Sequence, residues 1–236
     1  MEKLLNELVD RLKKAYGDQL VSVVLYGSAA VGDYAGAYSD INIFCVLGEV
    51  TPRELALADP IFGWWTKKDN PAPMLMGAEE VKTSTDCFPI EFHDIKERHR
   101  ILYGDDVVVS LDIDDSFYRA QVEYQFRAMM LRLRQKGAVV MHDRDLLVRL
   151  LAESLSTFCT LSRHALRLHG HDAVFEKREI VERTRDAFGI DPNPFLGLLD
   201  LRDGKIKAKA LDPSSLYGEY LKEIGRVVDA VDRLEK

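Results

Sequence analysis

Cysteine is scarce in this chain, and what little there is does not cluster. The 236 residues hold three cysteines, with Cys45 in an apolar run that reads as a strand, Cys159 in an apolar helix and Cys87 in a loop-like stretch. That spacing excludes a disulfide framework and a zinc site, and leaves three plain thiols. Long uninterrupted apolar segments are also missing. The opening residues Met1 to Leu12 mix charged and apolar residues at helical spacing, so no secretory leader is expected and the chain reads as cytoplasmic. The most apolar stretch, Leu146 to Leu168, is interrupted by Arg149, Glu153, Arg163, His164 and Arg167. It therefore reads as the central helix of a bundle and excludes a membrane partner. A basic excess is absent too: the formal net charge is -7. A protein that grips long nucleic acid must neutralise many phosphates, so that class is excluded and a small substrate fits better. The charge still allows a local cationic cleft for a nucleoside triphosphate.

What is present starts with two apolar runs, Leu20 to Tyr26 and Ile41 to Leu47, joined by a loop of small and polar residues. The first run ends on Gly27-Ser28 and the second follows Ser39-Asp40. Because strand side chains alternate, Asp40 and Asn42 share one face while Ile41 and Ile43 point into the core. Around this pair, Glu2 to Tyr16 predicts an amphipathic helix stopped by Gly17. Thr51-Pro52 predicts an N-cap with proline at the first helical position, the helix running to about Asp59. A short strand is expected at Pro71 to Met76, a helical turn at Ala78 to Lys82, and a further strand at Phe88 to Ile95. From about Asp115 the pattern becomes helical: Ser116 to Lys136, Arg144 to His169, Ala173 to Phe188 and Ser214 to Lys236, with turns at Gly189 to Pro194 and Leu211 to Pro213. The fold class is α+β, a mixed sheet with flanking helices followed by a helical bundle. The domains expected are 1–113 and 114–236, with the boundary near Leu111 to Asp115.

Gly27-Ser28, a spacer of roughly ten residues and Ser39-Asp40-Ile41-Asn42 at a strand start resemble the signature of the nucleotidyltransferase superfamily. That superfamily includes DNA polymerase beta, the aminoglycoside nucleotidyltransferases and the minimal nucleotidyltransferases. The resemblance covers about the first hundred residues and extends to bacterial sequences that also read Ser-Asp-Ile-Asn. It implies transfer of a nucleoside monophosphate from ATP or another nucleoside triphosphate to a hydroxyl of a small molecule or a protein. It also implies Mg²⁺ or Mn²⁺ bound by hard oxygen ligands. By that resemblance Asp40 is a metal ligand, and Glu91 is the third carboxylate, a ligand or general base. A solvent-facing glutamate is the plain alternative for Glu91, and a chain-turning aspartate for Asp40. Asp94 and Asp86 are weaker choices. Gly27 and Ser28 would hold phosphates, with Ser39 beside them, although Ser28 also reads as an ordinary N-cap.

Asn42 departs from the pattern, which has a second carboxylate there. Its carbonyl oxygen can ligate a metal but brings no charge. At an effective dielectric near 20, one unit-charge attraction at 4 Å is about 4 kcal/mol, so a divalent ion is held more weakly. The rival reading is therefore a catalytically weakened or inactive nucleotide-binding or protein-interaction module. In the helical half, Arg127 is the candidate cation for the triphosphate, with Arg134 as its alternate, and an ion pair from Glu123 to Arg127 is the plainer account. A homo-oligomer is compatible with all of these features.

Overall fold

The computed structural model describes residues 1–31 and 41–234. Two compact units divide the chain, Met1–Ser116 and Phe117–Lys236.

The first unit is built on a four-stranded sheet in the order β3-β2-β1-β4, where β1 is Leu20–Tyr26, β2 Asn42–Leu47, β3 Met74–Gly77 and β4 His99–Gly104. β1 pairs antiparallel with β2 and with β4, while β2 pairs parallel with β3, so the sheet is mixed. Alternation sends the two faces of β1 into separate cores. Val23 and Leu25, with Ile43, Cys45 and Leu47 of β2, meet helices α1 (Glu2–Tyr16) and α2 (Pro52–Thr66) through Leu5, Leu8, Leu12, Ile61 and Trp65. Val24, Phe44 and Val46 meet α3 (Ala78–Thr83) and α4 (Pro89–Glu97) through Val81, Phe92 and Ile95. Ile41 and Ile43 are buried, as their phase requires.

α2 begins as its sequence suggests. Thr51 accepts a hydrogen bond from Arg53 N at 3.2 Å, and the Glu54 carboxylate accepts one from Thr51 N at 3.3 Å, which closes a capping box. The helix does not stop at Asp59 but runs on to Thr66 through Pro60. The extension seats Trp65 in the core, its indole N–H donating to Pro71 O at 2.9 Å.

One element is of the other type. Phe88 to Ile95, expected as a strand, is helix α4, with Pro89 in its first turn and Pro89, Ile90, Phe92, His93 and Ile95 buried. Four residues of alternation are too few to separate a period of 2 from one of 3.6, and proline at the first helical position decides it. β4, at one edge of the sheet, follows the helix directly.

The second unit is helical: α5 Tyr118–Val140, α6 Arg144–Leu168, α7 Lys177–Phe188, α8 Asn193–Arg202 and α9 Pro213–Arg233. α8 begins inside the stretch expected as a turn, because Pro194 sits in its first turn and opens a helix there. α6 is the central helix. Phe158 stacks on Phe195 of α8 with centroids 3.9 Å apart and lies 6.4 Å from Phe126 of α5 and 6.1 Å from Tyr220 of α9. Cys45 and Cys159 are buried and Cys87 is exposed, all three as free thiols. Among the described residues, no helix is long and apolar enough to cross a membrane.

Candidate functional site

The candidate site lies at the end of β1. Gly27 ends the strand with φ +77, a backbone state that residues with a Cβ avoid, and the chain turns there into a short 3₁₀ helix over Ser28–Val31. Gly27 N donates to Arg98 O at 2.9 Å and Ala30 N to Gly27 O at 3.1 Å. The glycine amide is thus spent on holding the α4–β4 junction against β1. The turn's remaining donors are the hydroxyl and amide of Ser28 and the amide of Ala29.

Asn42 opens β2 directly across from Tyr26, and Tyr26 pairs on its other side with His99. The space over Gly27 belongs to Asn42, since a Cβ on Gly27 would stand 3.3 Å from Asn42 Nδ2. Asn42 has the phase of Phe44 and Val46, the face that carries α4, and Tyr26 packs on that same face.

Glu91 belongs to this neighbourhood, but from a helix and not from a strand. Its carboxylate and that of Asp94 act on Tyr26. Burial first, then Asp94, then Glu91 push the Tyr26 phenol up to about 12. Glu91 and Asp94 are three apart on α4, neighbours on one helical face. Reading 88–95 as a strand gave Asp94 the core phase of Ile90 and Phe92. The helix makes it half-buried beside Glu91 instead. Sequence reasoning therefore missed Tyr26 and ranked Asp94 below Glu91, and Pro89 is the signal that places the two carboxylates together.

Ser39 and Asp40 lie outside the described residues. Among the described residues no three His, Cys, Asp or Glu side chains cluster as metal ligands. The side chains here, Asn42, Glu91 and Asp94, carry oxygen donors and are only partly buried, a set that suits a hard divalent cation and no softer one.

In the helical unit Arg127 makes the ion pair with Glu123 that the i, i+4 spacing predicts. Its Nε donates to Glu123 Oε1 at 2.7 Å and a second nitrogen stands 3.8 Å from Asp232, with Glu123 raising the guanidinium further above its ordinary value. Trp64 is taken up by Arg11, 4.3 Å above its ring, and by Lys68. A cavity of about 250 Å³ opens at the end of β1 opposite Gly27, lined by Tyr16, Gln19, Glu49, Thr51 and Arg53.

No protein-family model matches the chain, and no curated protein matches it in sequence. In structure it is similar to spectinomycin adenyltransferase AAD(9) from Enterococcus faecialis, solved with ATP and spectinomycin. The TM-score is 0.61 at 13% sequence identity, over 96% of this chain and 99% of that one. The chain has the fold of that nucleotidyltransferase along nearly its whole length.

Proposed function

We propose that this protein transfers a nucleoside monophosphate from a nucleoside triphosphate, ATP foremost, to a hydroxyl of a small-molecule acceptor. The observation that carries the proposal is the gathering of the Gly27-Ser28 turn, Asn42 and the carboxylates of Glu91 and Asp94 around the end of β1. The fold shared with an adenyltransferase solved with ATP and spectinomycin supports the choice of donor and of a small-molecule acceptor.

In this reading Ser28 and the amide of Ala29 receive phosphate oxygens, and Ser39 extends that cradle. The Glu91–Asp94 pair takes the proton of the acceptor hydroxyl as its oxygen bonds to the α-phosphorus. The bond from the α-phosphorus to the bridging oxygen breaks, and pyrophosphate leaves. A divalent cation, Mg²⁺ or Mn²⁺, held by Asp40, the Asn42 carbonyl oxygen and Glu91, would neutralise charge on the triphosphate. Arg127 would have to leave Glu123 to reach a phosphate.

Calorimetric titration of ATP and GTP with and without Mg²⁺, followed by pyrophosphate release over a panel of hydroxylated acceptors, tests the proposal. Nucleotide binding should require the metal and be lost in Asp40→Ala. Glu91→Gln should cost about 10² to 10⁴ in turnover while changing ATP affinity much less. Asn42→Asp should tighten Mg²⁺ binding. Asn42 favours a second reading, a nucleotide-binding module without turnover. Metal-independent binding with no pyrophosphate release, unrestored by Asn42→Asp, would establish that reading and discard the enzyme.

A further inference from the structure

Where α6 ends, the chain sets two histidines side by side. His169 caps the helix and His171 comes two residues later, with Gly170 between them at φ +85, a backbone state that residues with a Cβ avoid. Gly170 N donates to Arg167 O and His171 N to Leu166 O, both at 3.0 Å. This pair of bonds is the Schellman pattern, which ends a helix in one fixed conformation. The turn carries both imidazoles to the same side, so that His169 Nδ1 stands 3.2 Å from His171 Nε2. The ring planes are 11° apart and the centroids 5.3 Å, farther apart than the nitrogens, so the rings meet by their edges. Phe188, the last residue of α7, steadies His169 from another direction, ring against ring at 79° with centroids 5.3 Å apart. Both histidines are exposed.

The hydrogen bond between the two rings uses one N–H and one lone pair. The hydrogen between them can move to the far nitrogen of its own ring without any change of charge. Two lone pairs then face one point. Nitrogens that ligate one Zn²⁺ at about 2.0–2.1 Å stand about 3.3 Å apart at a tetrahedral angle. The observed 3.2 Å fits that bite. The location suits a cation as well, because the C-terminus of a 25-residue helix is the negative end of its dipole.

We propose that His169 and His171 bind a divalent transition-metal ion, zinc foremost, through Nδ1 of the first and Nε2 of the second, with water in the remaining positions. Imidazole nitrogens select zinc, copper or nickel over Mg²⁺, the reverse of the oxygen donors near Gly27. No cysteine takes part, and no residue is shared with the Gly27 site, so the inference stands apart from the nucleotidyl-transfer proposal.

The test is calorimetric titration of the full, untagged chain with Zn²⁺ in excess Mg²⁺, which keeps oxygen-donor sites occupied, and with Cys87→Ser in every sample to remove the exposed thiol. One saturable equivalent is expected. Affinity should fall at least about tenfold in His169→Ala and in His171→Ala, since each leaves a single imidazole. Imidazole ¹⁵N NMR should show Zn²⁺ shifting His169 Nδ1 and His171 Nε2 and leaving the other four histidines unmoved. Gly170→Pro keeps both histidines but forbids φ +85 and removes the Gly170 N–H, so it should weaken binding at least about fivefold. Far-UV circular dichroism checks each fold, and if Gly170→Pro does not fold, the two histidine variants decide, because both side chains are exposed. Unchanged affinity in either histidine variant or in folded Gly170→Pro, Zn²⁺ shifts at other histidines instead, or no saturation by about 1 mM Zn²⁺ overturns the inference.

Discussion

Gly27 and Gly104 both have positive φ, +77 and +75, yet they constrain the molecule differently. Around Gly27 the nearest obstacle to a Cβ is a side-chain atom, Asn42 Nδ2 at 3.3 Å. At Gly104 the obstacle is backbone: a Cβ would stand 2.0 Å from Val21 O and 3.3 Å from Ser22 Cα. The register of β1 with β4 shifts between Val23 and Val24, and the Ser22 hydroxyl donates to Asp105 O at 2.6 Å just beyond the glycine. The two strands therefore approach closely where Gly104 passes Val21. Gly27→Ala should cost about 1–2 kcal/mol, the left-handed penalty with a small adjustment of Asn42. Gly104→Ala should cost clearly more, because β1 and β4 must part. Urea midpoints of the two variants check this order; equal midpoints would refute the close approach at Val21.

Between elements, a close contact in the helical unit is made possible by the absence of a side chain at Gly137. Gly137 sits in the interior of α5, where glycine costs about 1 kcal/mol against alanine. A Cβ there would lie 2.3 Å from the Tyr217 hydroxyl oxygen of α9, and that hydroxyl donates to Leu133 O at 3.1 Å. Gly137→Ala would gain helix propensity on paper but should destabilise the protein by about 1–3 kcal/mol, because Tyr217 must leave its carbonyl and over-pack the α5–α9 seam. Chemical denaturation monitored by tyrosine near-ultraviolet dichroism would show it, and a stabilised variant would mean that the seam is loose. Such contacts could not be read from sequence, because neither Gly137 nor Tyr217 carries a local sign of the other. Elements with strong local punctuation were legible: β1 ended by Gly27-Ser28, β2 after Ser39-Asp40, α1 stopped by Gly17, α2 opened by Thr51-Pro52. Those whose type depended on a proline were not. Pro89 and Pro194 open helices where alternation and turn composition pointed the other way. That one error at α4 also hid half of the site, since Asp94 joins Glu91 only at helical spacing, and Tyr26 looked like an ordinary strand residue until α4 was placed over it.

Among the described residues, several titratable groups far from their ordinary values are neutral acids held by burial in both units. Tyr16, Tyr26 and Cys45 in the first unit and Cys159 in the second are pushed up to about 12, and Tyr220, fully buried against Phe158 and Phe195, is raised further. Each folded value lies above the unfolded one, near 9.0 for cysteine and 10.0 for tyrosine. Below pH 9 both states hold the proton, so these groups contribute their full stability. As pH rises past the unfolded values, the unfolded chain releases protons that the folded chain keeps. Unfolding then becomes easier, by up to about 1.4 kcal/mol per pH unit for each group. The protein should thus hold a flat urea midpoint up to about pH 8.5 and lose stability steeply from pH 9 to 11. Cys45→Ala leaves the tyrosines but removes one thiol, so its stability should fall less steeply over the lower part of that range, from a lower starting point set by the lost packing. Because Cys45 lies between β2 and the α1–α2 layer while Cys159 lies in the bundle, Cys159→Ala should flatten the curve independently, and the double variant should show the sum. A slope unchanged in both variants would mean that the buried thiols ionise in the folded protein, and that neither core excludes water at alkaline pH.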